Sequence, residues 1–344
     1  MQSTNPITLN DTKEIINSKY VNWNEFQNKT ILVTGATGLI GSKIIESFLL
    51  IKKNITILAL ARNKERLENM FKNEIEQQRV IPIYQDITQA INYEGAVDFI
   101  IHTACGTASK GFIETPVETI NTIINGTQNI LKFAQLKQVK SIVHLSSMEV
   151  YGETDFSRET PLKEEDLGYI NILNTRSSYS EGKRLAETLC VAFASEYNIP
   201  VKIARLVQII AANADPLDPR IVTYIANCAV NKTPITLQST GASARNFCYI
   251  TDCITGILTI LLKGENGHSY NVANKNAFTS IKELAELITQ KYTLEKTIFN
   301  IDTTGKYPAP SKLFVDTTQL EKLDWSAQIN LETMFERVIE SFKY

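Results

Sequence analysis

A chain of 344 residues, 43% hydrophobic and 21% charged, can bury one large domain or a large one with a smaller companion. Its 35 basic and 37 acidic side chains leave a formal charge of −2. That excludes a basic field for nucleic acid or an anionic membrane, and no apolar run approaches the ~18 residues of a membrane span. Five cysteines (105, 190, 228, 248 and 253) with no C-x-x-C pair, and a polar Met1–Asn10 unlike a signal peptide, predict reduced thiols in a cytoplasmic protein without a metal site.

Residues 1–28 read as a polar leader with a short helix at Asp11–Lys19, and Trp23 and Phe26 are placed to staple it to the core. From there strand and helix alternate. Buried strands are predicted at Thr30–Thr34, Ile55–Leu60, Val80–Tyr84, Phe99–Ala104, Ser141–Ser147 and Val201–Leu206. Helices are predicted at Ser42–Leu50, Lys64–Gln77, Pro116–Leu136 and Tyr179–Tyr197. Continuous apolar strands with helical crossovers imply an α/β fold, a doubly wound parallel sheet of Rossmann type over 29–206. After Leu206 the pattern loosens: a loop at Asn213–Arg220, helices at Ile221–Val230, Asp252–Leu262, Ile281–Tyr292 and Leu331–Phe342, and a short strand at Ile235–Gln238. Residues 207–344 are expected to form mainly a smaller mixed lobe, with part of 235–262 returning to the sheet.

Between the first strand and its helix stands Thr34-Gly35-Ala36-Thr37-Gly38-Leu39-Ile40-Gly41. Glycines there permit a tight turn and let backbone N–H groups approach a pyrophosphate at a helix N-terminus. The end of the second strand, where the adenosine ribose is read, carries Ala61-Arg62-Asn63-Lys64 and no acid. A carboxylate there accepts the 2′-hydroxyl of NAD, whereas an arginine meets the 2′-phosphate of NADP, so Arg62 tilts the choice toward NADP. Asp86, after the third strand, is placed either to meet the adenine amino group or to cap a turn.

Ser147 precedes Tyr179 by 32 residues, and Lys183 follows the tyrosine by one helical turn. Ser147 ends the fifth strand at the carboxyl edge where α/β ligands bind. Phenol is a poor base at its ordinary pKa of about 10, and an ammonium on the same helix face favours its ionised form. Ser147 can hold a substrate oxygen while Tyr179 takes or returns a proton and carbon exchanges hydride. Glu149 is placed to act as a second acid or base, or to cap a turn. His102 and His144, inside apolar strands, read as satisfied core histidines.

These segments resemble the extended short-chain dehydrogenase/reductases, in particular the nucleotide-sugar epimerase/dehydratase/decarboxylase group, from about Lys29 to Trp325. The matching pieces are the glycine turn, Asp86, His102-Thr103-Ala104, Leu145-Ser-Ser-x-Glu-Val-Tyr-Gly152, Arg176-Ser-Ser-Tyr-Ser-Glu-Gly-Lys-Arg184, Arg205 and Arg245-Asn-Phe-Cys-Tyr-Ile-Thr-Asp252. The resemblance implies catalysis by Tyr179, Lys183, Ser147 and Glu149. It implies cofactor contacts from Gly35, Thr37, Gly38, Leu39, Ile40, Gly41, Arg62, Asp86, Ile87, Thr103, Ala104 and Lys183. Substrate contacts would come from Ser147, Met148, Gln208 and Arg245, the last on a nucleotide pyrophosphate, and the protein would be a homodimer through the two long helices. Three departures stand out. Met148 replaces the aspartate of the dehydratases, which disfavours 6-dehydration. Ile123 stands at the station of the family's asparagine, and Leu206-Val-Gln208 replaces its usual loop after Arg205.

The leading expectation is a nucleoside-diphosphate-sugar epimerase or decarboxylase that recycles NAD or NADP internally. A net reductase using NADPH on a keto-sugar or polyol precursor is the alternative that Arg62 and Met148 favour. A non-catalytic cofactor sensor is a third reading, against which stands the retention of Tyr179 and Lys183.

Overall fold

Runs of Val, Ile and Leu leave no polar face, so they form strands covered on both sides. The computed structural model describes residues 5–344 apart from 52, 107, 108, 213, 214, 216 and 302–309; the expected loop at Asn213–Arg220 lies partly outside these. The chain begins with α1 (Pro6–Ile16), β1 (Lys29–Thr34), α2 (Leu39–Leu50), β2 (Ile55–Ala61), α3 (Lys64–Glu76), β3 (Val80–Tyr84) and β4 (Phe99–His102). It continues with α4 (Ser109–Glu114), α5 (Pro116–Lys137), β5 (Ser141–Ser147), α6 (Ser177–Tyr197), β6 (Val201–Leu206) and β7 (Gln208–Ile210). The C-terminal half adds α7 (Ile221–Asn231), β8 (Thr236–Leu237), β9 (Ala244–Tyr249), α8 (Ile250–Lys263), β10 (Ser269–Val272), β11 (Phe278–Ser280) and α9 (Ile281–Lys291). It closes with β12 (Ile298–Phe299), β13 (Lys312–Leu313), α10 (Thr318–Glu321) and α11 (Leu331–Ser341).

Seven strands form one sheet in the order β10-β6-β5-β4-β1-β2-β3, every neighbouring pair parallel. Odd-numbered residues of β1 and β5 (Ile31, Val33, Val143, Leu145) face the core shared with α2 and α8. Even-numbered ones (Leu32, Ile142) face α5 and α6. Strand order reverses between β1 and β4, and a crevice opens there at the carboxyl edge. The seventh strand is β10, which pairs with β6, and α8 packs on the same sheet. A second sheet is built around β9, which pairs with β7, β11 and β13.

Several boundaries differ from expectation for identifiable reasons. The first helix begins at Pro6, because the Asn5 side chain accepts from Ile7 N at 3.0 Å and proline occupies the first turn. The fourth strand ends at His102, because Thr103 N and Ala104 N turn away to the Thr34 hydroxyl at 3.1 Å each. Phe26 is the expected staple, fully buried against Phe48 and Phe99 with ring centroids 5.0 and 5.1 Å away.

The leader is clasped to the far end of the chain. Arg337 on α11 donates to Asp11 at 2.9 Å and to Glu14 at 2.7 and 2.8 Å, while the Tyr249 hydroxyl donates to Asp11 at 2.8 Å. Burial lifts the Asp11 carboxyl to about 6 against the pull of Tyr249 and Arg337. A raised folded-state pKa favours folding fully below the ordinary value of 3.8, and that contribution is lost as pH rises through about 6. Arg337→Met leaves two acids without their cation, which raises Asp11 further. The variant is expected to lose about 3 kcal/mol of stability, with a deficit that grows from about pH 5 to about pH 8. Urea unfolding at both pH values measures this; equal stability of variant and parent throughout would refute the clasp.

Candidate active site

The glycine turn follows β1. Gly35 has φ +64, a left-handed conformation, and a Cβ there would lie 2.6 Å from Thr103 Oγ1. A Cβ on Gly41 would run into the Gly35 carbonyl. Gly38 is exposed and precedes the first turn of α2 with no side-chain cap, so the N–H groups at the helix start, Leu39, Ile40 and Gly41, have no side-chain acceptor. Thr37 flanks this glycine cradle, half-buried. A pyrophosphate fits this arrangement by its requirement for free N–H groups at a positive helix end.

One hydroxyl organises the floor. Thr34 Oγ1 accepts from Thr103 N and Ala104 N, so its own proton goes to His102 Nδ1, 2.8 Å away. His102 therefore carries its proton on Nε2. Burial, then the charge of Lys183, drives its pKa down to about 3, so the ring is neutral. His144, beside it at 5.2 Å between ring centroids, is held neutral by the same two causes. His102 is a satisfied core residue at Nδ1, but His144 differs from expectation: neither of its ring nitrogens has a hydrogen-bond partner among the described residues.

At the adenosine end, Arg62 is 73% exposed and lies 3.6 Å from the Asp86 carboxylate. Partial burial works against ionisation of Asp86, but hydrogen bonds from Thr88 and the charge of Arg62 hold its carboxyl below the usual range. Asp86 caps the turn by accepting from Thr88 N at 2.9 Å. Ile87 is buried against Gly126 of α5.

Ser147 closes β5, and its hydroxyl accepts from Glu149 N at 3.2 Å, capping a 3₁₀ turn over Met148–Tyr151. Met148 is packed into the main core, and Gln208 stands two residues beyond the carboxyl end of β6. Tyr179 and Lys183 share one face of α6. The Lys183 ammonium donates to the Leu145 carbonyl at 2.7 Å and lies 5.8 Å over the Tyr179 ring. Phe112 of α4 stacks on Tyr179, with centroids 4.1 Å apart and planes 13° from parallel. Burial pushes the Tyr179 phenol up, Cys105 and Glu149 add to this, and Ser147 and Arg176 oppose it. The structure thus brings Ser147, Tyr179 and Lys183 together as anticipated, but burial outweighs any help to phenolate, and the phenol holds its proton.

Sequence reasoning assigned no role to Arg176. Its guanidinium grips Glu149 through two bonds of 2.8 Å, and Ser180 donates to the same carboxylate at 3.0 Å. Burial alone would raise the Glu149 carboxyl; Arg176, Ser180 and Arg245 bring it below its ordinary range. Arg245 on β9 lies within electrostatic reach of both Glu149 and Arg176, and its Nε has no partner among the described residues. The signal for Arg176 was its place three residues before Tyr179 at the start of one helix. Phe112 and Cys105 carried no such signal.

A glycine cradle at the switch point, with serine, tyrosine and lysine converging at the edge of β5, defines a short-chain dehydrogenase/reductase. Comparison with known proteins narrows this: the model of the NAD dependent epimerase/dehydratase family matches residues 31–273, and the chain belongs to that family. UDP-glucuronic acid decarboxylase 6 of Arabidopsis thaliana is 30% identical over 316 residues, 92% of this chain and 89% of that protein. Among solved structures, a UDP-glucuronic acid 4-epimerase from Bacillus cereus superposes with a TM-score of 0.76 at 22% identity, over 91% of this chain and 99% of its own. A dTDP-glucose 4,6-dehydratase from Streptomyces venezuelae does so with 0.76 at 21%, over 91% and 97%.

The cradle makes a direct prediction. Gly41→Ala forces the Gly35 carbonyl to move, an overpacking cost of about 1–3 kcal/mol. Dinucleotide affinity, followed by fluorescence titration, should fall by roughly ten- to a hundredfold, with the sheet intact by circular dichroism. Unchanged affinity would show that the cradle does not hold the cofactor.

Proposed function

We propose that this chain converts a nucleoside-diphosphate sugar bearing a carboxylate, a uronate, by oxidation at C4 followed by decarboxylation. The observation that carries this reading is the charge around Glu149, whose carboxylate also acts on Tyr179. Two guanidiniums, Arg176 and Arg245, are set against the single carboxylate of Glu149, which leaves positive charge for an anionic sugar. The likeness to UDP-glucuronic acid decarboxylases over nearly the whole chain supports the same choice.

In this reading Gly35, Thr37, Gly38, Leu39, Ile40, Gly41, Ile87, Thr103 and Ala104 hold the dinucleotide, with Arg62 and Asp86 at its adenosine end. When bound, NAD or NADP supplies the hydride acceptor and donor and, when oxidised, a positive charge that favours the Tyr179 phenolate. Ser147 holds the C4 oxygen while Tyr179 takes its proton. The resulting ketone makes the C5 carboxylate a β-keto acid. The C5–C6 bond then breaks, carbon dioxide leaves, and the electron pair moves into an enolate whose oxygen Ser147 and Tyr179 stabilise. A proton returns to C5, and the C4 carbonyl is reduced as its carbon regains the hydride and Tyr179 returns the proton to its oxygen. Glu149, ionised and gripped by Arg176, carries no proton of its own; it orders the substrate and the approach of the solvent-derived proton that C5 takes up. Residues 29–206 serve the cofactor and 207–344 mainly the substrate, in a cytoplasmic enzyme.

A reductase reading draws on the exposed Arg62, on the absence of an acid at the end of β2, and on Met148. A panel of nucleotide sugars incubated with NAD or NADP and read by mass spectrometry separates the two. Loss of carbon dioxide with no net change at 340 nm supports decarboxylation. Gain of two hydrogens with stoichiometric loss of NADPH supports reduction and overturns the decarboxylase. Tyr179→Phe is expected to abolish turnover, a loss on the order of 100-fold or more, while cofactor binding persists.

We also infer a homodimer through α5 and α6. Val117, Ile120 and Leu185 are exposed on these adjoining helices, with Ile120 at 42%, whereas Leu131 of α5 is buried in the core. Light scattering should give twice the chain mass, and Ile120→Glu should give the monomer. A monomeric parent protein would overturn this.

A further inference from the structure

Tyr179, Lys183 and Glu187 recur at intervals of four on α6 and so share one helix face. The first two carry the proposed proton chemistry; Glu187 lies one further turn along the same face. The Glu187 carboxylate accepts from the Ser146 hydroxyl, one residue before Ser147, and from the guanidinium of Arg205 on β6 at 2.7 and 3.0 Å. Lys183 reaches Leu145, the next residue back on β5. The inner face of the helix is therefore pinned to consecutive residues of the strand that carries Ser147.

Arg205 reaches further. It donates to the Glu164 carbonyl at 2.6 Å and to the Tyr151 hydroxyl at 3.3 Å, and Tyr151 in turn donates to Asn271 of β10 at 2.7 Å. Asn271 donates from its backbone to the Glu164 carboxylate at 2.9 Å and from its amide to the Asp316 carbonyl at 2.9 Å. Asp316 follows β13, where Leu313 pairs with Arg245 on β9. Glu187, Arg205, Tyr151 and Asn271 are all buried. A buried ion pair repays little of its desolvation cost as stability, whereas its fixed geometry specifies one arrangement against others. A purely apolar helix face would tolerate a slide along β5; this one does not.

We propose that Glu187 and Arg205 are positioning residues: they set the register of Tyr179 and Lys183 against Ser147 and couple that register to the strand beside Arg245. The proposal rests on Tyr179 being the proton carrier. The phenol faces Cys105, Ser147, Glu149, Arg176 and Lys183, so a slide of α6 alters its distance to every one of these charges and polar groups at once.

The test uses the full chain with bound cofactor. Replacing the pair by apolar residues of similar volume, Glu187→Leu with Arg205→Met, removes both charges together and leaves neither unpaired. The expected double variant keeps the thermal midpoint and cofactor affinity of the parent, loses roughly 100-fold in kcat, and moves the midpoint of its pH–rate profile up by about one unit. Arg205→Lys should recover only part of kcat, because an ammonium cannot form the fork. A folded double variant with the parent's kcat and pH midpoint overturns the proposal. Should the double variant not fold, Tyr151→Phe, which deletes only the hydroxyl joining Arg205 to Asn271, decides it: a lowered kcat with a shifted pH midpoint supports positioning, and parental values refute it. Tyr179→Phe separates the two claims. If that variant turns over normally, the functional reading fails; if it is inactive while the double variant is fully active, only the positioning claim fails.

Discussion

The hydroxyl of Thr34 is the constraint on which the site depends. It sits where strand order reverses, receives two backbone N–H groups from the chain leaving β4, and gives its one proton to His102. With both lone pairs and the proton used, the exits of β1 and β4 are held apart at a fixed distance. The glycine turn can then lie across the gap only where Gly35 and Gly41 lack side chains. The crevice is thus a product of backbone satisfaction before any ligand is considered.

Charge is distributed in layers below and around that crevice. Beneath it, two buried imidazoles are kept neutral, so the low-dielectric floor adds no ion of its own. Above it, Lys183 is tied to a carbonyl and Glu149 to Arg176. Tyr179 lies between, stripped of water by Phe112 and its other neighbours, and burial keeps its proton in place. In the proposed reaction its ionisation waits on the bound cofactor, so that proton and hydride move together.

Most of the frame was legible because its signals are local. Apolar runs marked six of the seven strands of the large sheet, and the serine, tyrosine, lysine and glycines showed in short spacings. The seventh, β10, was not, since Asn271 interrupts a four-residue strand. Strand β9 was missed for a similar reason. Arg245 and Asn246 break its apolar pattern, yet Asn246 is spent on the Asn274 carbonyl and Val315 N–H, contacts made by distant segments. The Arg176 grip on Glu149 and the Phe112 stack on Tyr179 join residues 27 and 67 positions apart, and no periodicity reports such meetings. The direction of the Tyr179 shift was hidden likewise, because burial is a property of the assembled core.

The clasp between α1 and α11 has a consequence for biosynthesis. Asp11 and Glu14 find their cation 326 and 323 positions later. During translation the first helix therefore emerges before the arginine that pairs its acids, while α2, whose Lys43 donates to Thr8 and Thr12, follows close behind it. The clasp itself closes only when α11 is present, and a polypeptide cut before α11 leaves Asp11 and Glu14 without Arg337.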